Sequence, residues 1–163
     1  MRLALFEPDI APNAGAIMRT TACLGAPLDI IGPCGFVLDD RRLRRAGLDY
    51  RDRAAVCYHD SWVAFRAALR GGGEIPDGRP AGRLILLTRH ASTSYIDFRF
   101  HPDDVLMVGR ESAGVPEAVA DATDARVAIP MRAELRSLNV SVVAAIVLGE
   151  ALRQTNQFPR TTG

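Results

Sequence analysis

Ser137, Leu138 and Asn139 stand between a polar loop that opens at Pro130 and an unbroken apolar run with helical spacing. That order gathers short polar side chains beside backbone N–H groups without intrahelical partners, because the first four amides of a helix are unpaired and Ser or Asn commonly caps them. Such a mouth either simply caps a helix, with Ser137 in the capping role, or also holds a small polar ligand. A second loop, EPDIAPNAGAIMRT at residues 7–20, offers Asn13 as a helix cap, Gly15 as a point of close backbone approach, and Arg19 four residues further on. Its neighbours Ile17, Met18 and Ala22 are apolar, so an inward Arg19 would need an anionic or strongly polar partner to offset burial.

A third loop, GRESAGVP at residues 109–116, sets Gly109 and Gly114 around the carboxylate of Glu111 and ends in a proline suited to a helix start. Its glycine frame resembles a P-loop without the lysine. Ser112 sits in a near miss of the hydrolase elbow GxSxG, with Arg110 in the first glycine position. A hydrolase of that kind places its histidine after the serine, whereas His59, His90 and His101 all precede Ser112. The histidines show no metal-ligand spacing and read as surface or loop residues, so no metal site is expected.

These loops need a scaffold, and the chain supplies one. Short apolar runs at residues 3–6, 28–31, 55–58, 84–87, 105–108 and 126–129 alternate with helical patterns at 13–24, 40–46, 61–69, 116–120 and 139–154. Continuous rather than alternating apolar strands indicate a mostly parallel sheet with helices on both faces, an α/β fold. In such sheets ligands bind beyond the carboxyl ends of the strands, where the three loops fall. The stretch 70–82, RGGGEIPDGRPAG, reads as a loop too short to divide domains, so residues 1–163 are expected to form a single domain.

Composition narrows the chemistry. All 20 basic residues are arginine, which excludes a Walker lysine, a pyridoxal Schiff base and a kinase-type lysine. Cys23, Cys34 and Cys57 are odd in number and lack CxxC spacing, arguing against a disulfide framework or a zinc site. No run approaches a membrane span or a secretory signal, so a cytoplasmic protein without membrane contact is expected. A net charge of +1 confines any RNA contact to a local patch. Residues 39–53, DDRRLRRAGLDYRDR, carry six arginines against four aspartates. On a short helix Arg41, Arg44 and Arg45 share a face, with Arg42 beside them, suited either to phosphates or to a solvated, self-paired surface.

Read together, PNAGAIMR, GRESAGVP and IPMRAELRSLNVS resemble, in order, the three motifs of the SPOUT superfamily of RNA methyltransferases. The stretch 35–52 is similar to the branch that methylates the ribose 2′-oxygen of the tRNA wobble nucleotide, cytidine or modified uridine at position 34. Ala113 and Gly149 depart from that branch, and SLNVSVVAAI resembles the broader ribose-methylating group. The resemblance implies a deep C-terminal trefoil knot, which pattern alone would not suggest. It implies S-adenosyl-L-methionine held by Leu87, Thr88, Gly109, Ile129, Ser137 and Leu138, and a homodimer sharing its sites. It further implies Arg19, Glu111 and Asn139 as catalytic residues, and a tRNA anticodon stem-loop met by Asn13, Arg41, Arg42, Arg44, Arg45 and Arg110. The competing expectations are another tRNA position or ribosomal RNA as target, a knotted RNA-binding module without turnover, and a generic nucleotide-binding α/β protein. The last lacks a GxGxxG after the first strand.

Overall fold

A computed structural model describes residues 1–37, 55–72 and 82–160. Six parallel strands form one sheet: β1 (Arg2–Phe6), β2 (Leu28–Ile31), β3 (Val56–His59), β4 (Leu84–Leu87), β5 (Val105–Val108) and β6 (Ala125–Val127), in the order β3-β2-β1-β5-β4-β6. Between and after them run α1 (Ala11–Leu24), α2 (Trp62–Ala67), α3 (Glu117–Asp121) and α4 (Val140–Thr155). The expected helix at 40–46 lies outside the described residues.

The apolar runs form inner strands because both of their faces are covered. Leu3, Leu5, Leu28, Ile30, Ile85, Leu87, Leu106 and Val108 point toward α1 and α4, packing on Ile17, Met18, Val147, Leu148 and Leu152. The alternate residues, among them Ala4, Phe6, Ile31, Leu84, Leu86 and Met107, face Phe65 of α2 and Val119 of α3. Period-two alternation thus feeds two cores rather than one core and solvent. Helix α1 ends at Gly25, whose left-handed φ of 68° lets its N–H turn back to the carbonyls of Thr21 and Ala22. Strand β6 is shorter than expected: Ala128 exchanges backbone bonds with the 93–95 segment, and Pro130 has no N–H to extend the ladder.

Strand order fixes where a site can lie. The chain leaves β1 toward β2 and leaves β5 toward β6, in opposite directions, so the loops after these two paired strands diverge and open a crevice. After β6, at the sheet edge, the chain crosses residues 128–139 without regular structure before α4 packs against α1 and β5. The far end is held by Arg83, which donates to both oxygens of Asp104 at 3.0 and 2.7 Å and so ties the start of β4 to the start of β5.

One polar cluster interrupts the core beneath α2. Arg2 on β1 reaches Asp29 on β2 through Nε at 3.1 Å and Nη2 at 2.6 and 2.8 Å, and Asp29 is 1% exposed. His59 on β3 places Nε2 2.8 Å from the same carboxylate and its ring edge-on to Phe65. The expectation that His59 is a surface or loop residue is therefore corrected: strand pairing draws it against a buried anion. Strand register also brings Cys57 beside Asp29, so that Asp29, Cys57 and His59 offer three donor atoms within 4.8 Å, a grouping invisible to linear spacing. Both Asp29 oxygens are engaged by Arg2, and its guanidinium supplies the positive charge that a burial of this depth demands. Among the described residues no helix is long and apolar enough to cross a membrane.

Removing one partner of a buried pair strands the other. Asp29→Ala should lower the unfolding free energy by about 3–5 kcal/mol, measured from urea midpoints; a loss below about 1 kcal/mol would mean that the pair behaves as a surface bridge.

Candidate active site

The crevice between β1 and β5 is closed by polar contacts, and they involve all three motif loops. Directly after β1, Glu7 adopts a left-handed φ of 44°, unusual for a side chain larger than glycine. Arg110, directly past Gly109 at the end of β5, secures it by donating from Nε to the Glu7 carbonyl at 3.2 Å and from Nη2 to the Glu7 carboxylate. The β5 loop then folds back on itself. Arg110 and Gly114 exchange two backbone bonds of 2.9 and 2.7 Å, and Gly114 sits at φ 70°. A Cβ on Gly109 would lie 2.6 Å from the Gly114 carbonyl carbon, so only glycine permits the turn.

That turn aims Glu111 at the α1 start. Its Oε2 accepts from the Asp9 N–H at 3.0 Å and its Oε1 from Asn13 Nδ2 at 3.1 Å. Asn13 Oδ1 in turn accepts from Asn139 Nδ2 at 3.0 Å, and Asn139 Oδ1 accepts from the Ser141 N–H and hydroxyl at 2.8 and 2.6 Å. Glu111, Asn13, Asn139 and Ser141 therefore form one directed chain. An ionised carboxylate can only accept, which orients the Asn13 amide, which orients the Asn139 amide.

Two capping expectations are corrected by this arrangement. The N-cap of α1 is Ile10, without a side-chain bond, and Asn13 lies inside the first turn, where its amide is released to bridge Glu111 and Asn139. The N-cap of α4 is Asn139 rather than Ser137, which is exposed two residues earlier. Residues missed in the sequence are Glu7, Asp9 and Ser141, together with the contact of Ser112, whose hydroxyl donates to Asp9. The one signal for Asp9 is its place in a polar EPD turn directly after a strand.

Electrostatics separates the two carboxylates. Burial, followed by the adjoining Asp9 side chain, pushes Glu111 above the ordinary glutamate value of 4.5. Asp9 is held below its ordinary 3.8 by its bonding with Glu111 and with the Ser112 hydroxyl. One member of the pair carries the charge easily and the other reluctantly.

Beside this chain, Leu87, Gly109 and Ile129 mark the carboxyl ends of three neighbouring strands, with Leu87 opposite Val108 and Val127 in register. The Thr88 N–H donates to the Val127 carbonyl at 2.9 Å, and Arg89 Nη1 donates to the Arg136 carbonyl at 3.1 Å, so the loops after β4 and β6 brace each other. Ser137 and Leu138 are exposed just before the α4 cap. Peptide groups and apolar side chains at three strand ends suit a flat heterocycle with an uncharged face better than a metal ion.

The remaining expected residues are not gathered in. Arg19 is exposed on α1, about 9 Å along the helix from Asn13 and roughly 120° around it. Arg110 is committed to Glu7. Arg41, Arg42, Arg44 and Arg45 lie outside the described residues.

Comparison with known proteins fits this geometry. The profile of the family described as "SpoU rRNA Methylase family" matches residues 1–149. A tRNA (cytidine(34)-2′-O)-methyltransferase of Beijerinckia indica is 56% identical over 158 residues, 97% of this chain and 94% of that protein. The enzyme of the same name from Yersinia pestis is 38% identical over 94% of this chain and 93% of its own length. A solved structure described as "Structural insights into the 2-OH methylation of C/U34 on tRNA" superposes with a TM-score of 0.84 at 38% identity, covering 94% of each chain. The SpoU methyltransferase AviRb of Streptomyces viridochromogenes, solved in complex with the cofactor AdoMet, gives a TM-score of 0.77 at 27% identity over 94% of this chain and 57% of that one.

The split between the carboxylates has a measurable sign. A raised Glu111 stabilises the fold fully below 4.5 and loses that contribution as pH rises through its folded value, whereas the lowered Asp9 contributes above 3.8 and loses it as pH falls. Above pH 4.5 Asp9 is charged in both states, so Glu111 decides the slope. Glu111→Gln, which does not titrate, should gain stability relative to the parent as pH rises from there toward neutrality. Parallel urea titrations check this, and a gap constant with pH would contradict it.

Proposed function

The chain belongs to the SpoU rRNA methylase family, and from that membership we infer that it methylates the ribose 2′-oxygen of the tRNA wobble nucleotide, position 34, using S-adenosyl-L-methionine. The observation that carries this reading is the directed chain from Glu111 through Asn13 to Asn139, which joins all three motifs at the switch point of the sheet. The choice of position 34 over another tRNA site or ribosomal RNA rests on relatives of that name at 38–56% identity over nearly the whole chain.

When bound, S-adenosyl-L-methionine supplies an electrophilic methyl group on a sulfonium. Leu87, Thr88, Gly109 and Ile129 would hold it at the three strand ends, with Ser137 and Leu138 closing the pocket. The path of residues 128–139 from the sheet edge back to α4 would make the last turn of a trefoil knot, bringing that wall across the ends of β4 and β5. The residues left to the protein's own chemistry must align a ribose hydroxyl and stabilise the negative charge that grows on its oxygen. Arg19 is suited to the second task and not to taking the proton, because a guanidinium stays protonated. Its exposed position on α1 supports a role toward a neighbouring copy. In a homodimer it would reach the partner's pocket, and the exposed Ile10, Leu138 and Val142 would be covered. The anticodon stem-loop would then meet Arg41, Arg42, Arg44 and Arg45, with Arg110 stiffening the loop beneath it.

Unmodified tRNA incubated with the protein and S-adenosyl-L-methionine should gain a 2′-O-methyl at nucleotide 34, located by mass spectrometry of nuclease fragments. Methylation at another position would refute the wobble assignment. A protein that binds S-adenosylhomocysteine in calorimetry yet methylates no RNA would be a binding module. In the active protein Arg19→Ala should reduce kcat by roughly 100-fold, the scale of losing one charge-stabilising donor; undiminished transfer would remove Arg19 from the mechanism. Reversing the charges of Arg41, Arg42, Arg44 and Arg45 should weaken tRNA binding and flatten its dependence on salt.

A further inference from the structure

We propose that Asp9 is a positioning residue of the methyl-transfer site, gripping Glu111 from the neighbouring loop so that its carboxylate faces Asn13. The proposal rests on the reading of this crevice as the active site and adds a residue that the three motifs leave without a role.

The grip is reciprocal. The Glu111 N–H donates to Asp9 Oδ1 at 3.2 Å while the Asp9 N–H donates to Glu111 Oε2 at 3.0 Å, so each residue binds the other's side chain with its own backbone. The Ser112 hydroxyl occupies the second Asp9 oxygen. Three donors thus converge on two loops more than 100 residues apart in sequence, across a crevice that strand topology would otherwise leave open. Asp9 is itself held from behind. The Gly35 N–H donates to the Pro8 carbonyl at 2.9 Å, and a Cβ on Gly35 would lie 2.7 Å from Asp9 Cβ, so the loop after β2 presses against Asp9 at a distance only glycine allows.

The grip acts on charge as well as shape. Around Glu111, α1 and α4 present the neutral amides of Asn13 and Asn139, while Glu7 and Arg110 pair with each other, with the half-buried Cys34 near Glu7. Asp9 is the anion that adjoins Glu111, and it makes the Glu111 proton harder to remove. Glu111 accepts from both Asn13 and Asp9 only through free oxygens, so transfer should fail on the acid side as Glu111 takes up a proton. Removing the Asp9 charge while keeping its shape should move that failure to lower pH, an effect that a purely structural residue would not produce.

The test compares Asp9→Asn and Asp9→Ala with the parent in methyl transfer to unmodified tRNA across pH, together with carbon-13 NMR titration of the Glu111 carboxyl in each folded protein. Asp9→Ala should lower kcat at least tenfold at every pH, with a smaller change in KM. Asp9→Asn should restore much of kcat above neutrality, and its acid limb and its Glu111 titration should both lie at lower pH than in the parent. An unmoved Glu111 titration in Asp9→Asn, or full kcat in Asp9→Ala, would overturn the proposal. If Asp9→Ala fails to fold, the Asp9→Asn titration decides alone. If the parent transfers no methyl group to any RNA, the reading of the function fails, and the NMR titration still reports whether Asp9 governs Glu111.

Discussion

Strands β1 and β5 pair side by side, yet their chains depart in opposite directions, and the two loops leaving them would separate unless something bound them together. Polar contacts do so: Arg110 to Glu7, Asp9 and Glu111 to each other's backbones, and Glu111 to Asn13. The remainder of the site depends on that closure. Asn13 reaches Asn139 because Glu111 has already fixed which way its amide points, and Asn139 caps α4 with the oxygen left over. A carboxylate at one end of the chain thereby sets the direction of every hydrogen bond to the other end. The arrangement takes three segments that are flexible as isolated loops and orders them against a rigid sheet.

The sheet can play that part because it is apolar on both faces. Two hydrophobic layers absorb the side chains of five strands, and a buried polar group, Arg2 with Asp29 and His59, joins β1, β2 and β3. Buried ion pairs contribute little net stability against a well-packed apolar alternative, but a charge left without its partner is strongly disfavoured. Such a cluster therefore penalises any register in which the three strands do not meet correctly. The site at the carboxyl ends inherits its accuracy from that register, since Glu7 follows β1 directly and bonds to Ile31 at the end of β2.

Much of this was legible in the sequence where the physics is local. Apolar runs located β4 and β5 at their observed bounds, because a strand buried on both faces has no polar residue to blur its limits, and β2 was located too although it carries the buried Asp29. Helix caps were less legible. Asn13 and Ser137 have the right side chains for capping, but a cap is decided by which competing partner is nearer, and Glu111 lies 98 residues from Asn13 in sequence. His59 was misjudged for the same reason: its partner Asp29 is 30 residues away and comes close only through strand pairing. Asp9 carried no signal beyond a polar turn. Motif resemblance named Glu111 and Asn139 together, and the structure joins them through Asn13, a neighbourhood that spacing does not encode.

Arg19 and Arg110 show how one side-chain chemistry serves two ends in this lysine-free chain. Arg110 spends its planar fork inside the fold, bonding carbonyl and carboxylate of Glu7 at once and so stabilising a backbone angle that a larger residue adopts reluctantly. A flexible ammonium, a single point of charge, could not satisfy both acceptors in fixed geometry. Arg19 lies on the exposed side of α1. The same helix therefore turns Asn13 inward to its own crevice and Arg19 outward. For both to serve one site, as the proposed homodimer would have it, the rotation of roughly 120° between them would require a second copy of α1.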